Sequence, residues 1–448
     1  MRFSFRQAVG MVLGYLLLAA APLLLAYLGP LPEPRPFWVE FGVGLGFVGM
    51  GVLGLQFLLT GRFRNVASSV GLDLMLQFHR EVGIVAFLLI LAHPVILFAT
   101  DPTYLEFLDP RVNLPRALAL SSVLAALVLL VVTTLWRQEL KISYEWWRTG
   151  HGVLALFVIL IGLVHGLQVG HYLSPVWKQV IWVVLTLAAV GLLLKNRVIR
   201  PLRLKKRPFQ VVEVREESPG VWTLALEPRG HGGVDFRPGQ FVWLTLGSSP
   251  FSLQQHPFSI SSSAEEPGRV ELTIAELGDF TSGISSVPSG TTAFLEGPYG
   301  AFVPEEAEEG EDGEPGAAGA VFIVGGVGIT PVMSMLRTFR DRGDSRPIVL
   351  VHGAPSEDRA LFRDEVEALS GMLDFKTVHV LEEAPDSWEG ERGLVTPEVL
   401  DRHLPEDGLA EWEYFVCGPP PMMDAVEQHL RSRGVPASRI FSERFNIV

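Results

Sequence analysis

The sequence predicts a membrane-embedded bundle of six α-helices, followed by a small antiparallel β-barrel and then by an α/β domain. Three observations lead to this prediction. Apolar stretches of bilayer length fill the chain as far as Leu194. Alternating strand patterns, separated by Gly and Pro turns, run from Phe209 to Val303. From Ala320 onwards, short buried strands alternate with helical patterns, which is typical of a doubly wound sheet.

The six predicted membrane spans cover residues 7–28, 37–59, 73–98, 116–135, 147–168 and 175–194. The first could be read as a signal peptide, because Arg2 and Arg6 precede it, but its apolar run is longer than a signal core. We therefore expect a membrane domain over residues 1–204. The remainder divides into the barrel at 205–303, an acidic loop at 304–318 and the α/β domain at 319–448.

The basic residues favour one orientation in the membrane. One side carries Arg2, Arg6, Arg62, Arg64, Arg137, Lys141, Arg148 and the basic run 195–207. The other side carries only Arg35, Arg111, Arg116 and Lys178. The positive-inside rule therefore predicts an integral protein of the plasma membrane, with both termini and the whole soluble half in the cytoplasm.

Two pairs of histidines lie in the third and fifth spans. His79 and His93 are fourteen residues apart, and His151 and His165 have the same spacing. In a helix this spacing places both members of a pair on nearly one face, about 21 Å apart along the axis. Two such helices side by side would offer two stacked bis-imidazole sites, so we predict that the four histidines ligate two b-type haems. A hydrogen-bonded or proton-relay role is the alternative for each one.

The composition excludes several classes of function. The net charge of −13 argues against nucleic acid as a partner, and the basic run 195–207 is expected to contact lipid. Cys417 is the single cysteine, which excludes an intrachain disulfide, a cysteine-based zinc site and an iron–sulfur cluster. The sequence has no EF-hand loop, so direct calcium control is not indicated. The expected partner of the first half is the lipid bilayer.

The soluble half contains two predicted modules. Strand patterns at 210–215, 221–226, 240–246 and 270–275 predict the barrel. In the second module, strands at 320–324, 348–352, 375–380 and 414–417 alternate with helices at 358–370 and 419–433. Gly325 to Pro331 form a tight turn between the first of these strands and a helix. Bare amides and the helix dipole in such a turn favour the pyrophosphate of a nucleotide.

Seven short motifs follow one another along the soluble half: Arg237-Pro-Gly-Gln240, His256-Pro-Phe-Ser259, Gly278-Asp-Phe-Thr-Ser-Gly283, Gly297-Pro-Tyr-Gly300, Gly325–Pro331, Cys417-Gly-Pro-Pro420 and Glu443-Arg-Phe445. With the four histidines, they make the chain resemble the NADPH oxidase and ferric reductase superfamily over nearly its whole length. The membrane half resembles the ferric-reductase transmembrane domain, which holds two haems on four histidines. The remainder resembles the ferredoxin–NADP reductase type of dehydrogenase.

The resemblance implies FAD in the barrel and NADPH or NADH in the α/β domain. The flavin would contact His256, Pro257, Phe258, Ser259, Gly278, Thr281 and Ser282. The coenzyme would contact Gly325, Gly326, Gly328, Thr330, Pro331, Gly418 and Pro419. Ser356 and Arg359 follow the strand at 348–352, where a 2′-phosphate would lie, so the sequence favours NADPH with NADH left open. Catalytic roles are implied for Ser259 at the flavin, Cys417 and Glu443 at the nicotinamide, and Phe445 as a ring that covers the flavin.

These parts predict a transmembrane NAD(P)H oxidase. Electrons would pass from cytoplasmic NAD(P)H through FAD to an inner haem on His79 and His151 and an outer haem on His93 and His165. They would then reduce O₂ outside to superoxide, which the short external loops favour. A ferric-chelate reductase and an electron donor to an external partner protein stay open as alternatives. A proton transporter fused to a reductase is disfavoured, because the spans contain Asp and Glu only near their ends.

Further side chains are assigned to the haem levels. Four arginines are predicted either as partners of haem propionates or as residues that face lipid headgroups. They are Arg80 and Arg148 near the inner haem, and Arg111 and Arg116 near the outer one. Phe87 and Phe157 lie between the two levels, where they either fill the gap or pack against other helices.

Overall fold

The computed structural model describes residues 5–61, 72–305 and 317–444. In the first segment the side chains are described from Val9, and in the second from Leu74. The chain divides into two compact units, with the main boundary between Arg200 and Pro201. The first unit is helical and apolar, and the second contains two β-sheets. This division agrees with the change in composition that the sequence shows near Leu194.

Six long helices make up the first unit: α1 (Phe5–Tyr27), α2 (Phe37–Leu59), α3 (Leu72–Thr100), α4 (Leu114–Leu135), α5 (Tyr144–Val169) and α6 (Val176–Leu194). In the described part of the chain, six helices are long and apolar enough to cross a membrane. All six predicted spans therefore have a helix, and the ends differ by a few residues. The end of α5 is set by Gly170, which takes a left-handed conformation at φ +62°.

Glycines on α2 let this helix approach its neighbours closely. A Cβ on Gly51 would lie 2.1 Å from the carbonyl oxygen of Ala19 in α1. A Cβ on Gly49 would lie 2.7 Å from the Ile90 side chain in α3. Small residues at helix contacts are the usual means of close packing in membranes, because lipid provides no hydrophobic force between helices. The position of α3, which contains two of the four histidines, thus depends on α2.

The second unit begins with a six-stranded antiparallel sheet of β1 (Phe209–Ser218), β2 (Val221–Pro228), β3 (Phe241–Leu246), β4 (His256–Ser259), β5 (Val270–Ala275) and β6 (Thr292–Tyr299). The strand order is β4-β3-β6-β1-β2-β5. The predicted barrel is not closed, because the edge strands β4 and β5 meet, as far as the described residues extend, in one bridge between Ile260 and Leu272. Pro257 in β4 has no N–H to donate, as is typical of an edge strand.

The second sheet is parallel and consists of β7 (Ala320–Gly325), β8 (Ile348–Ala354), β9 (Phe375–Leu381), β10 (Glu391–Arg392), β11 (Glu413–Cys417) and β12 (Ile440–Ser442). Its order is β10-β9-β8-β7-β11-β12. The helices are α7 (Thr330–Arg342), α8 (Arg363–Leu369), α9 (Pro397–His403) and α10 (Pro420–Ser432). Apolar clusters cover both faces, as in doubly wound folds. The order reverses between β7 and β11, and ligands of such sheets bind at this point.

The helix predicted over 358–370 is wrong in its first part. The chain forms a 3₁₀ turn at Glu357–Arg359, and the α-helix begins only at Arg363. Phe362 between them has a left-handed φ of +58°, which an α-helix cannot contain. Its side chain is buried in the core beside α7, so packing has overridden the helical pattern.

Candidate functional site

The histidines of α3 and α5 face each other in two pairs. The ring centres of His79 and His151 lie 6.2 Å apart, and those of His93 and His165 lie 6.3 Å apart. A metal ion between two imidazoles needs a similar gap, since two bonds of about 2.0 Å and roughly 1 Å more to each ring centre add to about 6 Å. The distance between the ring centres of each pair is therefore compatible with one metal ion between them.

His93 is held in place by α2. Its Nδ1 lies 3.0 Å from the carbonyl oxygen of Gly42, and a Cβ on Gly46 would lie 3.1 Å from its ring. When Nδ1 donates to this carbonyl, Nε2 is left with a lone pair for a metal, which is the usual way that a protein orients a histidine ligand. At the other level, Nδ1 of His151 lies 3.4 Å from the hydroxyl of Thr134.

A cavity within the helical unit is lined by His93 and His165, mostly apolar side chains, and the polar residues Arg35, His171 and Tyr172. Arg35 donates from Nε to Glu40 at 3.2 Å, while its Nη2 is buried without a hydrogen-bond partner among the described residues. Nε2 of His171 is in the same situation. The cavity therefore contains a buried guanidinium donor and a buried ring nitrogen that donates when it carries the proton, and both can meet an anionic group.

Arg35 and His171 are not among the predicted site residues. From the sequence, Arg35 is used only to infer the orientation in the membrane, and no role is assigned to His171. A signal for Arg35 was present in its place directly before α2, with Glu40 five residues later. Of the predicted outer arginines, Arg116 lies over the ring of Phe107, which lines the cavity, and its buried Nε has no partner within the described ranges. Arg111 is exposed.

The inner pair has a different set of neighbours. The indole ring of Trp147 lies 5.3 Å from the ring of His151, and its buried Nε1 has no acceptor among the described residues. The predicted Arg80 is instead an exposed residue 3.6 Å from Glu81. Between the two levels, Phe87 and Phe157 pack against the apolar core of the bundle. They are therefore packing residues of the helix bundle.

The flavin motif forms the edge strand β4. Ser259, at its end, pairs with Phe241 of β3, and its buried Oγ has no hydrogen-bond partner in the described part of the chain. The ring of His256 stacks on Phe280 at 4.2 Å, and Phe258 stacks on the same ring at 6.1 Å. Because Phe280 belongs to the Gly278–Gly283 motif, these contacts bring the two predicted flavin motifs together.

The turn at Gly278 is closed by Thr281. The hydroxyl oxygen of Thr281 accepts the N–H groups of Leu277 at 2.8 Å and Gly278 at 2.9 Å. It also donates to the Gly278 carbonyl at 3.0 Å. Thr281 thus shapes its own turn, whereas Ser282 is exposed beside it. Pro257, as described above, has an edge-strand position in the same module.

The Gly-rich turn and the Cys417 motif lie side by side at the carboxyl ends of β7 and β11. Gly326–Ile329 form a short 3₁₀ turn, and Thr330 and Pro331 are buried at the start of α7. A Cβ on Gly328 would lie 2.3 Å from the carbonyl oxygen of Cys417, and one on Gly418 would lie 3.0 Å from the Gly325 nitrogen. Only glycine permits this approach.

Two more predicted residues lie near this point. Cys417 is completely buried, and burial together with the Glu443 carboxylate raises the pKa of its thiol. The backbone N–H of Glu443 donates to Val416 at 3.3 Å, so Glu443 lies beside β11, while Pro419 is exposed at the start of α10. The predicted ring of Phe445 lies outside the described residues.

Three family models match separate parts of the chain. A ferric reductase-like transmembrane component matches residues 45–162, a FAD-binding domain matches residues 223–303, and an oxidoreductase NAD-binding domain matches residues 322–428. These matches cover parts of the same segments in which the histidine pairs, β4 and the Gly-rich turn lie.

Individual proteins are similar to roughly half of the chain. The reductase component of propane 2-monooxygenase from Rhodococcus jostii is 31% identical over 53% of this chain and 62% of that protein. The glycine betaine monooxygenase reductase subunit of Pseudomonas aeruginosa is 32% identical over 47% of this chain and 56% of that protein. The solved ferredoxin reductase in carbazole 1,9a-dioxygenase is 26% identical over 53% of this chain and 69% of that chain, with a TM-score of 0.45. The chain thus spans less than two thirds of the length of these two curated relatives.

Proposed function

We propose that this chain, which has the domain architecture of NADPH oxidase and ferric reductase proteins with a dehydrogenase of the ferredoxin–NADP reductase type, carries electrons from NAD(P)H across a membrane. The observation that supports this most directly is the pair of gaps, 6.2 and 6.3 Å, between the facing histidine rings. In our proposal His79 and His151 ligate an inner haem iron, and His93 and His165 ligate an outer one. Haem, when bound, supplies a carrier of single electrons.

Unpaired donors at each level support the haem proposal. A haem has two propionates, which are anions that need hydrogen-bond donors when they are buried. At the outer level, Arg35, His171 and Arg116 each have a buried ring or guanidinium nitrogen without a partner among the described residues. At the inner level, Trp147 has such an atom. We propose these side chains as the propionate partners.

We propose the remaining roles for residues of the dehydrogenase. FAD, when bound, supplies the conversion of a two-electron donor into single electrons. Ser259 would donate its unpaired hydroxyl to the flavin, and His256 with Phe258 would support the same site through their contacts with Phe280. Cys417 would keep its thiol protonated beside the nicotinamide, because burial and Glu443 raise its pKa. Glu443, whose backbone N–H donates to Val416 of β11, would position the nicotinamide.

We propose O₂ as the acceptor and superoxide as the product. Two histidines on one iron leave no open position, so an acceptor must take its electron without binding the metal. The segments between α1 and α2, between α3 and α4, and between α5 and α6 are short, at residues 28–36, 101–113 and 170–175, so in our proposal little protein outside the membrane is present to bind a charged ferric chelate. Reduction of a ferric chelate or of an external protein would use the same residues, and both are outcomes of the experiment below.

The basic residues support a membrane orientation. We propose three domains, at 1–204, 205–303 and 319–448, with the acidic segment 304–318 between the last two. The second and third domains form the dehydrogenase, and we propose that they lie in the cytoplasm together with both termini. Arg137, Lys141 and Arg148 lie at or near the ends of α4 and α5 on one side, and Arg111 and Arg116 lie at the other end of α4. NAD(P)H is then used on the cytoplasmic side.

The decisive experiment uses the purified protein in detergent with added FAD, without oxygen. NADH and then NADPH are added, and the haem spectrum is followed before air or a ferric chelate is admitted. We expect two low-spin haems to be reduced and then reoxidised by air, with superoxide-dependent reduction of cytochrome c. Fast reoxidation by the chelate alone would make the protein a ferric reductase. Absence of haem absorbance would contradict the ligand assignment.

Replacing Ser259 by alanine should slow the reduction of the flavin by NAD(P)H by about tenfold, because one positioned hydrogen bond to the reacting group is lost. Stopped-flow absorbance of the flavin measures this rate. Ser286→Ala is the matched control, since Ser286 is exposed in the same module and donates only to Gly283 at 2.9 Å. Equal rates in both variants would remove Ser259 from the proposed mechanism.

A further inference from the structure

We propose that the coenzyme of this protein is NADH rather than NADPH, because the turn after β8 presents carboxylates where the 2′-phosphate of NADPH would lie. This inference rests on the proposed function, in which the α/β domain binds a dinucleotide. It concerns one end of that molecule, the ribose of the adenosine half. In a doubly wound sheet, the end of the strand next to the Gly-rich strand distinguishes the two coenzymes at this ribose.

The structure brings two strand ends together at this place. β8 ends at Ala354, and the turn at Glu357–Arg359 follows it. The N–H of Glu382, after β9, donates to the Ala354 carbonyl at 3.1 Å, and the N–H of Glu383 donates to Pro355 at 2.8 Å. The carboxyl ends of β8 and β9 thus form one continuous surface beside the Gly-rich turn that ends β7.

A buried histidine joins β8 to the Gly-rich turn. His352 in β8 is fully buried, and its hydrogen-bond partner is the backbone of Gly326 in that turn. Its ring centre is 5.7 Å from that of His379 in β9. The strand end after β8 is therefore tied to the turn that would hold the pyrophosphate of a dinucleotide.

His352 cannot supply positive charge to a phosphate. Burial, reinforced by His379, lowers its pKa to about 3, so the ring is neutral at physiological pH. A neutral imidazole can exchange hydrogen bonds with sugar hydroxyls or the backbone of the turn. A 2′-phosphate, which carries about −1.5 to −2 charges, would need cations from the turn after β8 instead.

Two of the groups near that turn that could bind a phosphate already contact acids. The hydroxyl of Ser356 donates to Asp358 at 2.6 Å. Arg363 forms an ion pair with Glu357 and a second one with Glu367 at 3.0 Å. Arg359 is exposed, and Glu357 and Asp358 directly precede it in the same 3₁₀ turn. The turn thus presents carboxylates, which repel a phosphate but can accept hydrogen bonds from the two hydroxyls of an unphosphorylated ribose.

The test compares both coenzymes on the full-length protein in detergent with FAD. Initial rates of ferricyanide reduction are measured without oxygen and at low ionic strength, since salt screens exposed charges. We expect kcat/KM to be at least about tenfold higher for NADH, mainly through a lower KM. Equal or higher efficiency with NADPH overturns the inference while leaving the proposed function intact. Oxidation of neither coenzyme contradicts both.

The carboxylates themselves are tested by the double substitution Glu357→Gln and Asp358→Asn. It should raise kcat/KM for NADPH by about tenfold and leave that for NADH within a few-fold, because two negative charges are removed, Arg363 loses one of its two ion pairs and Ser356 loses its carboxylate acceptor. The matched control is Glu406→Gln with Asp407→Asn, which removes the same two charges from an exposed loop before β11, a strand that β7 separates from β8. An unchanged coenzyme ratio in the first variant, or an equal change in the control, overturns the inference.

Discussion

Replacing His93 by alanine is expected to remove about half of the haem absorbance and to lower electron transfer to an external acceptor at least about a hundredfold, because even a group that merely orients a metal ligand is worth 10–100-fold. His165→Ala should give the same result, since the two rings face each other at 6.3 Å. Each variant loses one of two ligands of the same iron in our proposal. The haem spectrum and the rate of superoxide formation are the two measurements.

The dehydrogenase provides the control for these variants. NAD(P)H-dependent reduction of ferricyanide should remain close to that of the unchanged protein, because this acceptor takes electrons before they reach the outer level. His79→Ala should remove the other half of the haem absorbance and block transfer to both haems. A haem spectrum that is unchanged in both His93→Ala and His165→Ala would contradict the assignment of these ligands.

Replacing Arg337 by methionine should lower the free energy of unfolding of the dehydrogenase by about 3 kcal/mol, because it breaks a buried ion pair and leaves its partners uncompensated. Arg337 lies on α7 with its side chain 10% exposed. Its Nε and Nη2 donate to Glu365 of α8, both at 2.7 Å, and its Nη1 donates to the Ser261 carbonyl at 2.8 Å and to Glu271 of β5 at 3.2 Å. One side chain therefore joins the two sheets of the unit.

Arg342→Met is a matched control on the same helix. Arg342 also reaches the first sheet's module, through Glu265 at 2.6 Å, but both side chains are 43% exposed. An exposed pair is typically worth less than about 1 kcal/mol, so this variant should unfold almost as the unchanged protein does. Urea unfolding in detergent, followed by the fluorescence of released flavin, measures both. Equal shifts in the two variants would mean that burial of Arg337 contributes nothing.

Much of the membrane unit could be predicted from local patterns. The apolar stretches and the equal spacing of the histidines depend only on residues close in sequence, so all six helices were foreseen. Apart from the two histidine pairs, the contacts between helices could not be foreseen. Lys178 was counted as a charge at the outer surface, but it is fully buried and donates to the Ala26 carbonyl of α1 at 2.7 Å. Such a partner, 152 residues away, has no local signal.

Only some elements of the dehydrogenase could be predicted from the sequence. The Gly-rich turn is recognisable from its glycines between a strand and a helix, and the Cys417 motif from the family resemblance; the structure places them in contact. Strands β4 and β6 were missed, because β4 has only four residues and includes Pro257, while β6 is interrupted by Gly297 and Pro298. Ser356 is predicted to lie near a 2′-phosphate, and in the structure its hydroxyl donates to Asp358 at 2.6 Å. That outcome depends on side-chain orientation, which sequence patterns do not determine.

The equal spacing of the two histidine pairs has a consequence for how this protein can vary. One inserted residue between His79 and His93 would rotate the second ring by about 100° and shift it by about 1.5 Å along α3, so that it no longer met His165. A change of length in only one of the segments 80–92 and 152–164 would therefore destroy one pair while the other survived. Descendants of this sequence can exchange residues in these segments where packing allows, but a gain or loss of one residue in a single segment removes a histidine pair.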